Sequence, residues 1–377
     1  MEQIRSAGQG RAKTGGGMAD VPYLLLTLML VMIGLIMLFS ASYASAIHDG
    51  LPPTYFFFRQ SVFAAIGIAA MLLVSRLHYH LFRAFALWIL GASVLLLIAV
   101  AIPGIGVSHN GARRWIRIGV EFQPSELAKL GIVLSFSAMM SAFREKMQTF
   151  RYGVLPFAAI LAVIAVLLYL EPHMSATVII LLTGASMMFL GGTRLRWFFV
   201  GAGAGLLLVV LYLSTKGYAS DRIMAWRDPF LYPRDEGYQI IQSLYAIGSG
   251  GLFGLGLGRS RQKFLYLPEP ENDYLFAIVC EELGLAGALT VVLLFMLLVI
   301  RGYWIAIRAR DRFGAMTAAG LTTLLALQVF LNIGVVTNFL PATGISLPFF
   351  SYGGTALVLQ LAEMGIVLSI SRYGAQE

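Results

Sequence analysis

Residues 267–279 read Leu-Pro-Glu-Pro-Glu-Asn-Asp-Tyr-Leu-Phe-Ala-Ile-Val, an acidic tip that runs straight into an apolar segment. Asp273 stands where the apolar run begins. A carboxylate at a membrane boundary is expensive to keep, so its presence points to a use. Two uses fit. Asp273 is either the N-cap of the helix that follows, accepting from free backbone amides, or a general base that takes a proton from a reacting hydroxyl.

Other charged residues lie in or beside apolar stretches. Glu281 and Glu282 follow Asp273 by eight and nine positions, which on a helix turns them about 80° and 180° away from it. They cannot share one cavity wall with Asp273, and the expectation is that they bond neighbouring helices. Lys129 lies three residues after Glu126, so it is either half of an i,i+3 ion pair or a cation that reaches an anionic group. Arg113, Arg114 and Arg117 are either snorkelling headgroup contacts or part of the same anion site. Glu171-Pro172-His173 pairs one Glu with one His, weak evidence for a metal, and reads better as a polar turn. Glu363, late in the chain, is expected to face the protein interior.

The elements that must position these groups are membrane helices. The 377 residues are 58% hydrophobic and 12% charged, against about 25% charged in soluble domains. Apolar windows near the length that crosses a bilayer fall at 21–42, 57–75, 81–102, 124–143, 153–170, 175–192, 196–214, 274–300, 315–337 and 349–371. The fold class expected is an all-α polytopic integral membrane protein of about ten spans, with no alternating barrel pattern. It divides into a tail (1–20), one membrane domain (21–372) with a large loop at about 215–272 between spans seven and eight, and a short tail (373–377). The long first span reads as a retained anchor. With the N-terminus inside, 15 of the 27 Lys and Arg fall on the inner side and 11 on the outer, Lys129 being within a span. That distribution favours both termini inside. The outer cations concentrate in 103–123 and 215–272, where an anionic lipid headgroup would be handled. The single Cys280 excludes an internal disulfide and a thiol metal cluster. The net charge of +8 suits contact with anionic membrane lipid, and no basic folded patch or tail points to nucleic acid.

Between the spans, residues 104–123 are too polar to cross and are expected to lie in the interface with Trp115 as an anchor. Pro124 fits the first turn of a helix, with Glu126 just behind it. Within the large loop, 238–247 suggests a short amphipathic helix. The glycine run 248–258 matches neither the Walker nor the Rossmann spacing, but its amides could cradle a phosphate. Residues 338–355 interrupt an apolar run with Pro and Gly, which implies irregular backbone lining a cavity or buried in protein.

Several segments together resemble the SEDS family (FtsW, RodA, SpoVE). They are Gly111-Ala-Arg-Arg-Trp-Ile-Arg, Gln123-Pro-Ser-Glu-Leu-Ala-Lys129, Gly237-Tyr-Gln, Ala246 to Gly258, Leu267-Pro-Glu with Asp273-Tyr-Leu-Phe, Glu281-Glu-Leu-Gly284, and Pro341 to Gly354. Each is weak alone, and the ordered set, over about 20–372, is specific. Residues 260–269 look more like the FtsW/SpoVE branch than RodA. Asn272 stands where Thr is common, and His173 where Asp is common after Glu-Pro.

The resemblance implies a glycosyltransferase that polymerises lipid II into peptidoglycan strands at the outer face of the bacterial cytoplasmic membrane, inverting, with release of undecaprenyl diphosphate. It implies Asp273 as the base. Arg113, Arg114, Lys129 and Arg222, with Gln239 and Lys263, are then substrate contacts, and Glu281, Glu282 and Ser351 structural ones. The expected partner is a class B penicillin-binding protein. A divalent cation (Mg or Mn) assisting the diphosphate is plausible, though no dedicated cage is visible. Two rival readings are a lipid II flippase, with Lys129, Glu281, Glu282 and Glu363 along a path, and a non-catalytic scaffold for a cell-wall synthase.

Overall fold

A computed structural model describes residues 17–102, 104–109, 112–201, 203, 224–234 and 236–374. The chain is helical almost throughout: α1 (Val21–His48), α2 (Tyr55–Arg76), α3 (His80–Ala101), α4 (Pro124–Phe143), α5 (Phe150–Gly153), α6 (Leu155–Leu170), α7 (Met174–Leu190), α8 (Glu236–Ser249), α9 (Leu275–Ile307), α10 (Arg312–Val336) and α11 (Gly354–Arg372). Among the described residues eight helices are long and apolar enough to cross a membrane, and α7 is apolar but shorter. The seventh expected span, 196–214, lies largely outside the described residues. The other windows fall on helices with ends shifted by a few residues, since apolar length specifies a span better than its capping residues do.

α10 and α4 form the centre. The apolar stretch of α10 is 78% buried and that of α4 61%, whereas α2, α3 and α9 turn most of theirs outward. Exposed Phe58, Leu73, Trp88, Leu289 and Ile307 belong to this outer surface, where hydrocarbon replaces water as solvent. The start of the bundle is clasped at one end. Asp20 caps α1 by accepting from Tyr23 N at 3.0 Å and is gripped by Arg301 of α9 at 2.8–3.0 Å. Gly17 N donates to Arg372 O of α11 nearby.

Two segments depart from expectation. Residues 106–122 form an antiparallel sheet, β1 (Gly106–His109), β2 (Ala112–Ile118) and β3 (Val120–Phe122), in the order β1-β2-β3. The Arg/Trp/Ile/Arg mix read as an interfacial segment is a strand alternation, which puts Ile116 in the core and Arg117 at the surface, paired with Glu121 across the ladder at 2.6 Å. Asn110-Gly111, a dipeptide that favours tight hairpins, was the available signal. The glycine run is the second departure. Two of its amides, Leu255 N and Gly256 N, are taken by a broken helix rather than by a phosphate.

α9 is interrupted at Gly284 (φ 67°, ψ −169°), a conformation open essentially to glycine alone. The break would strand the amides of Leu285 and Ala286 and the carbonyls of Glu281 and Glu282. The glycine run takes all four: Leu285 N and Ala286 N donate to Gly251 O and Leu252 O, and Leu255 N and Gly256 N donate to Glu281 O and Glu282 O, at 2.9–3.1 Å. Such mutual satisfaction is what irregular backbone needs where water is absent. A Cβ on Gly284 would lie 2.3 Å from Gly254 N.

We therefore expect Gly284→Ala to destabilise by about 1–3 kcal/mol from backbone strain alone, with the clash adding to it. Gly248→Ala, in α8 with open space around it, should be neutral or mildly stabilising, as Gly to Ala within a helix usually is. Thermal unfolding in detergent compares the two; equal melting temperatures would refute the assignment.

Candidate functional site

Asp273 lies in the turn before α9. The N-cap position belongs to Tyr274, which makes no side-chain cap hydrogen bond, so the capping role expected as one alternative is not at Asp273's position. Its backbone is pinned from the central helix: Asn332 of α10, 1% exposed, donates through Nδ2 to Asp273 O at 2.8 Å and to Ile345 O at 2.6 Å. One amide group thereby joins the start of α9 to the irregular segment 341–353. In that segment Gly344 takes a positive φ of 71°, and a Cβ there would stand 3.2 Å from Asp273 Oδ2 and 3.6 Å from Ser175 Oγ. Glycine puts no side chain against the carboxylate at that point. Ser175, in the first turn of α7, donates to Thr343 O.

The turn leading into α7 carries the next layer. Arg114 sits on the face of β2 shared with buried Ile116, and its Nη2 donates to Pro172 O at 2.5 Å. Gln123, at the N-cap of α4, places its amide nitrogen 3.3 Å from His173 Nε2. Burial pushes the Glu171 carboxyl up to about 8, against the pull of Arg114. Burial also pushes the His173 imidazole down to about 3, helped by Arg114 and Lys129. At neutral pH both groups are uncharged, so neither adds to the charge at this turn. Neither Glu171 Oε1 nor His173 Nδ1 has a hydrogen-bond partner among the described residues.

The remaining candidates separate into those near this turn and those that hold the frame. Lys129 makes the i,i+3 ion pair with Glu126 at 2.7 Å, and the buried Glu363 of α11 acts on the same ammonium. Arg113 falls on the opposite, exposed face of β2. Arg222 lies outside the described residues. Gln239 of α8 donates to Pro268 O at 3.4 Å and holds the acidic tip.

Lys263, expected among the substrate contacts, is turned inward. It is 3% exposed and bonds Glu282 Oε1 at 2.9 Å and Ser40 at 3.0 Å, a pairing that a buried ammonium requires. Glu282 also accepts from Ser40 of α1 and from Ser260 N. Glu281, too, reaches a neighbouring helix, α8, through Ser249. It accepts from Ser260 Oγ, Arg261 N and Gln262 N, tying down the loop, and from Ser249 at the end of α8. Ser351 closes its own turn by accepting from Leu347 N at 2.8 Å, and Tyr352 N beside it donates to Glu271 O. Asn332, Ser175 and Gly344 are the residues sequence reasoning missed. An amide within an apolar helix was the signal for Asn332; the other two carry none.

Among the described residues no three His, Cys, Asp or Glu side chains come together as a metal site.

Because Glu171 stays protonated up to about pH 8 when folded but only to its ordinary value, 4.5, when unfolded, folding loses stability as pH rises between those values. Glu171→Gln removes that slope. Its melting temperature relative to wild type should climb from pH 5 to pH 8; a flat difference across that range would contradict the burial argument.

Comparison with known proteins agrees with the resemblance read from the motifs. The family model described as "Cell cycle protein", covering FtsW, RodA and SpoVE, matches residues 21–376. The chain is 40% identical over 355 residues to stage V sporulation protein E of Bacillus subtilis strain 168, covering 94% of this chain and 97% of that one. It is 39% identical over 357 residues to a protein named probable peptidoglycan glycosyltransferase FtsW from Geobacter sp. strain M18, covering 93% and 96%. Among solved structures, a chain from work titled "Structural coordination of polymerization and crosslinking by a peptidoglycan synthase complex" superposes with a TM-score of 0.79 at 28% identity, covering 94% of this chain and 98% of that one. The rod shape determining protein RodA of Thermus thermophilus does so with 0.70 at 28% identity, covering 95% and 98%. With its helices, its ordered motifs and these likenesses over nearly its full length, this multi-pass membrane chain belongs to the FtsW/RodA/SpoVE family.

Proposed function

We propose that this chain is a peptidoglycan glycosyltransferase that polymerises lipid II at the outer face of the cytoplasmic membrane, inverting at the anomeric carbon and releasing undecaprenyl diphosphate. The observation that carries the reading is the Asp273 carboxylate, facing the space that Gly344 leaves open at the end of a membrane bundle, with Ser175 across it. Relatives of this chain named for glycosyl transfer add to it.

In this reading a second lipid II supplies the acceptor hydroxyl. Asp273 takes its proton as the oxygen attacks the anomeric carbon of the donor. The bond from that carbon to the diphosphate oxygen breaks, and its electron pair leaves with the diphosphate. Arg114, joined by Arg222 and Lys129, offsets the charge that develops there, since guanidinium forks match phosphate oxygens. Arg113, on the exposed face of β2, would meet the headgroup as it arrives. Gln239 and Lys263 act by holding the acidic tip and the loop in place. A divalent cation shared by Asp273 and the diphosphate would supply further charge neutralisation. A class B penicillin-binding protein is the partner proposed, in line with the likeness to a chain from a peptidoglycan synthase complex.

The test is polymerisation of labelled lipid II by purified protein, with and without a class B penicillin-binding protein that lacks its own glycosyltransferase. Asp273→Asn should reduce glycan formation by about 10²–10⁴, the usual worth of a general base, while leaving melting temperature unchanged. Absence of polymer from wild type even with the partner, together with lipid II flipping in liposomes, would replace this reading with transport. Polymer formed equally by Asp273→Asn would remove Asp273 from the chemistry.

A further inference from the structure

The amino end of α7 lacks a side-chain cap, as do the starts of α2, α3, α4, α6, α9 and α11. Its N-cap residue is His173, which makes no side-chain cap hydrogen bond, and its first turn carries no acid. Thr177 N is the first amide of the helix to find a backbone acceptor, in His173 O. For the amides of Met174, Ser175 and Ala176 no acceptor exists among the described residues, although Ser175 and Ala176 are buried. The first amides of a helix are satisfied by side chains, water or a ligand, and such ends favour phosphate.

A second, separate observation points the same way. His173 is 7% exposed and Glu171 2%, yet Nδ1 of the first and Oε1 of the second have no partner among the described residues. With its amide hydrogen on His173 Nε2, Gln123 leaves Nδ1 as the protonated, donating nitrogen. Glu171, protonated at neutral pH because burial raises it, is a donor as well. Arg114 is anchored on Pro172 O, between these two residues. Among the described residues, Glu126 is paired with Lys129, and Asp273 lies across Gly344 from Ser175. These donors belong to residues 171–176 and to Arg114, which bonds Pro172 O within that stretch, and Ser175 stands across Gly344 from the proposed base.

We propose that the amino end of α7 is the phosphate-binding element of the site. The amides of Met174 to Ala176, the His173 imidazole and Arg114 together receive the diphosphate of the lipid-linked donor. This inference rests on the polymerase reading for the identity of the donor, and it assigns the leaving group to a helix end. Pre-oriented amides there face the oxygen on which negative charge grows, at no cost in reorganisation.

A substitution at the first helical position separates binding from folding. Met174 is 42% exposed, so Met174→Asp fits without repacking. A carboxylate in the first turn complements the helix dipole and should hold or raise the melting temperature. The same carboxylate occupies the field that a phosphate needs. With farnesyl diphosphate as probe, in detergent, wild type should bind, and Met174→Asp should weaken binding by about fivefold or more, the equivalent of about 1 kcal/mol of dipole interaction. His173→Asp, which caps the amides from within, should do the same and serves as the second variant. Dioleoyl phosphatidylglycerol should compete poorly. Equal affinity in wild type and both variants, no binding to wild type, or equal competition by phosphatidylglycerol would each overturn the assignment.

The two proposals fail separately. Polymerisation abolished by Asp273→Asn, with diphosphate affinity indifferent to Met174→Asp, removes this subsite and keeps the polymerase. Diphosphate affinity lost in Met174→Asp, with no polymer from wild type, does the reverse.

Discussion

Every backbone amide and carbonyl that this chain takes away from water must find a partner inside the protein, and the architecture follows from that requirement. Helices meet it along their length. The difficulty arises wherever the chain leaves helical geometry in the interior, which it does at Gly284 and through 337–353. At Gly284 the glycine run exchanges hydrogen bonds with the broken ends of α9, two for two. The side chains of Glu281 and Glu282 then fasten the next stretch of loop, through Ser260, Arg261, Gln262 and Lys263, to α9 and to Ser40 of α1. A buried ion pair adds little net stability, but breaking one by removal of a partner is costly. Lys263 and Glu282 thus hold the loop to one register.

The segment 337–353 is held on the same principle by side-chain amides rather than by backbone exchange. Asn332 reaches Asp273 O and Ile345 O, Gln60 reaches Ser351 O, and Gln360 receives Phe349 N. Amides suit this work because each offers donors and acceptors without carrying charge. Asp273 consequently has its backbone pinned by Asn332 and a glycine, Gly344, beside its carboxylate. The amino end of α7 stands apart from this accounting. There the interior leaves donors unmatched beside a group able to accept a proton, and an unmatched cluster next to a reactive group is where substrate chemistry belongs.

Electrostatics at the α6–α7 turn completes the picture. Desolvation drives Glu171 and His173 to their neutral forms, in opposite directions on the pH scale. Glu171 therefore adds no negative charge beside Arg114, and His173 adds no positive charge beside Lys129, which Glu126 already pairs.

Much of this was legible in the chain itself. Apolar length located most of the spans, because crossing hydrocarbon demands it, and the placement of Asp273 at the head of an apolar run singled it out before any fold was known. The i,i+3 spacing of Glu126 and Lys129 specified their pairing, since one helix brings them together unaided. The ordered motifs identified the family. Tertiary structure alone decided the rest. Whether Lys263 faces substrate or Glu282 depends on a loop folding back onto a break 21 residues later, and no local pattern encodes that contact. The glycine run reads equally as a phosphate cradle or as packing until its partner is seen. Ser175, Asn332 and Gly344 are distant in sequence and ordinary in type, and they matter only because three separate helix ends and one irregular segment converge on Asp273.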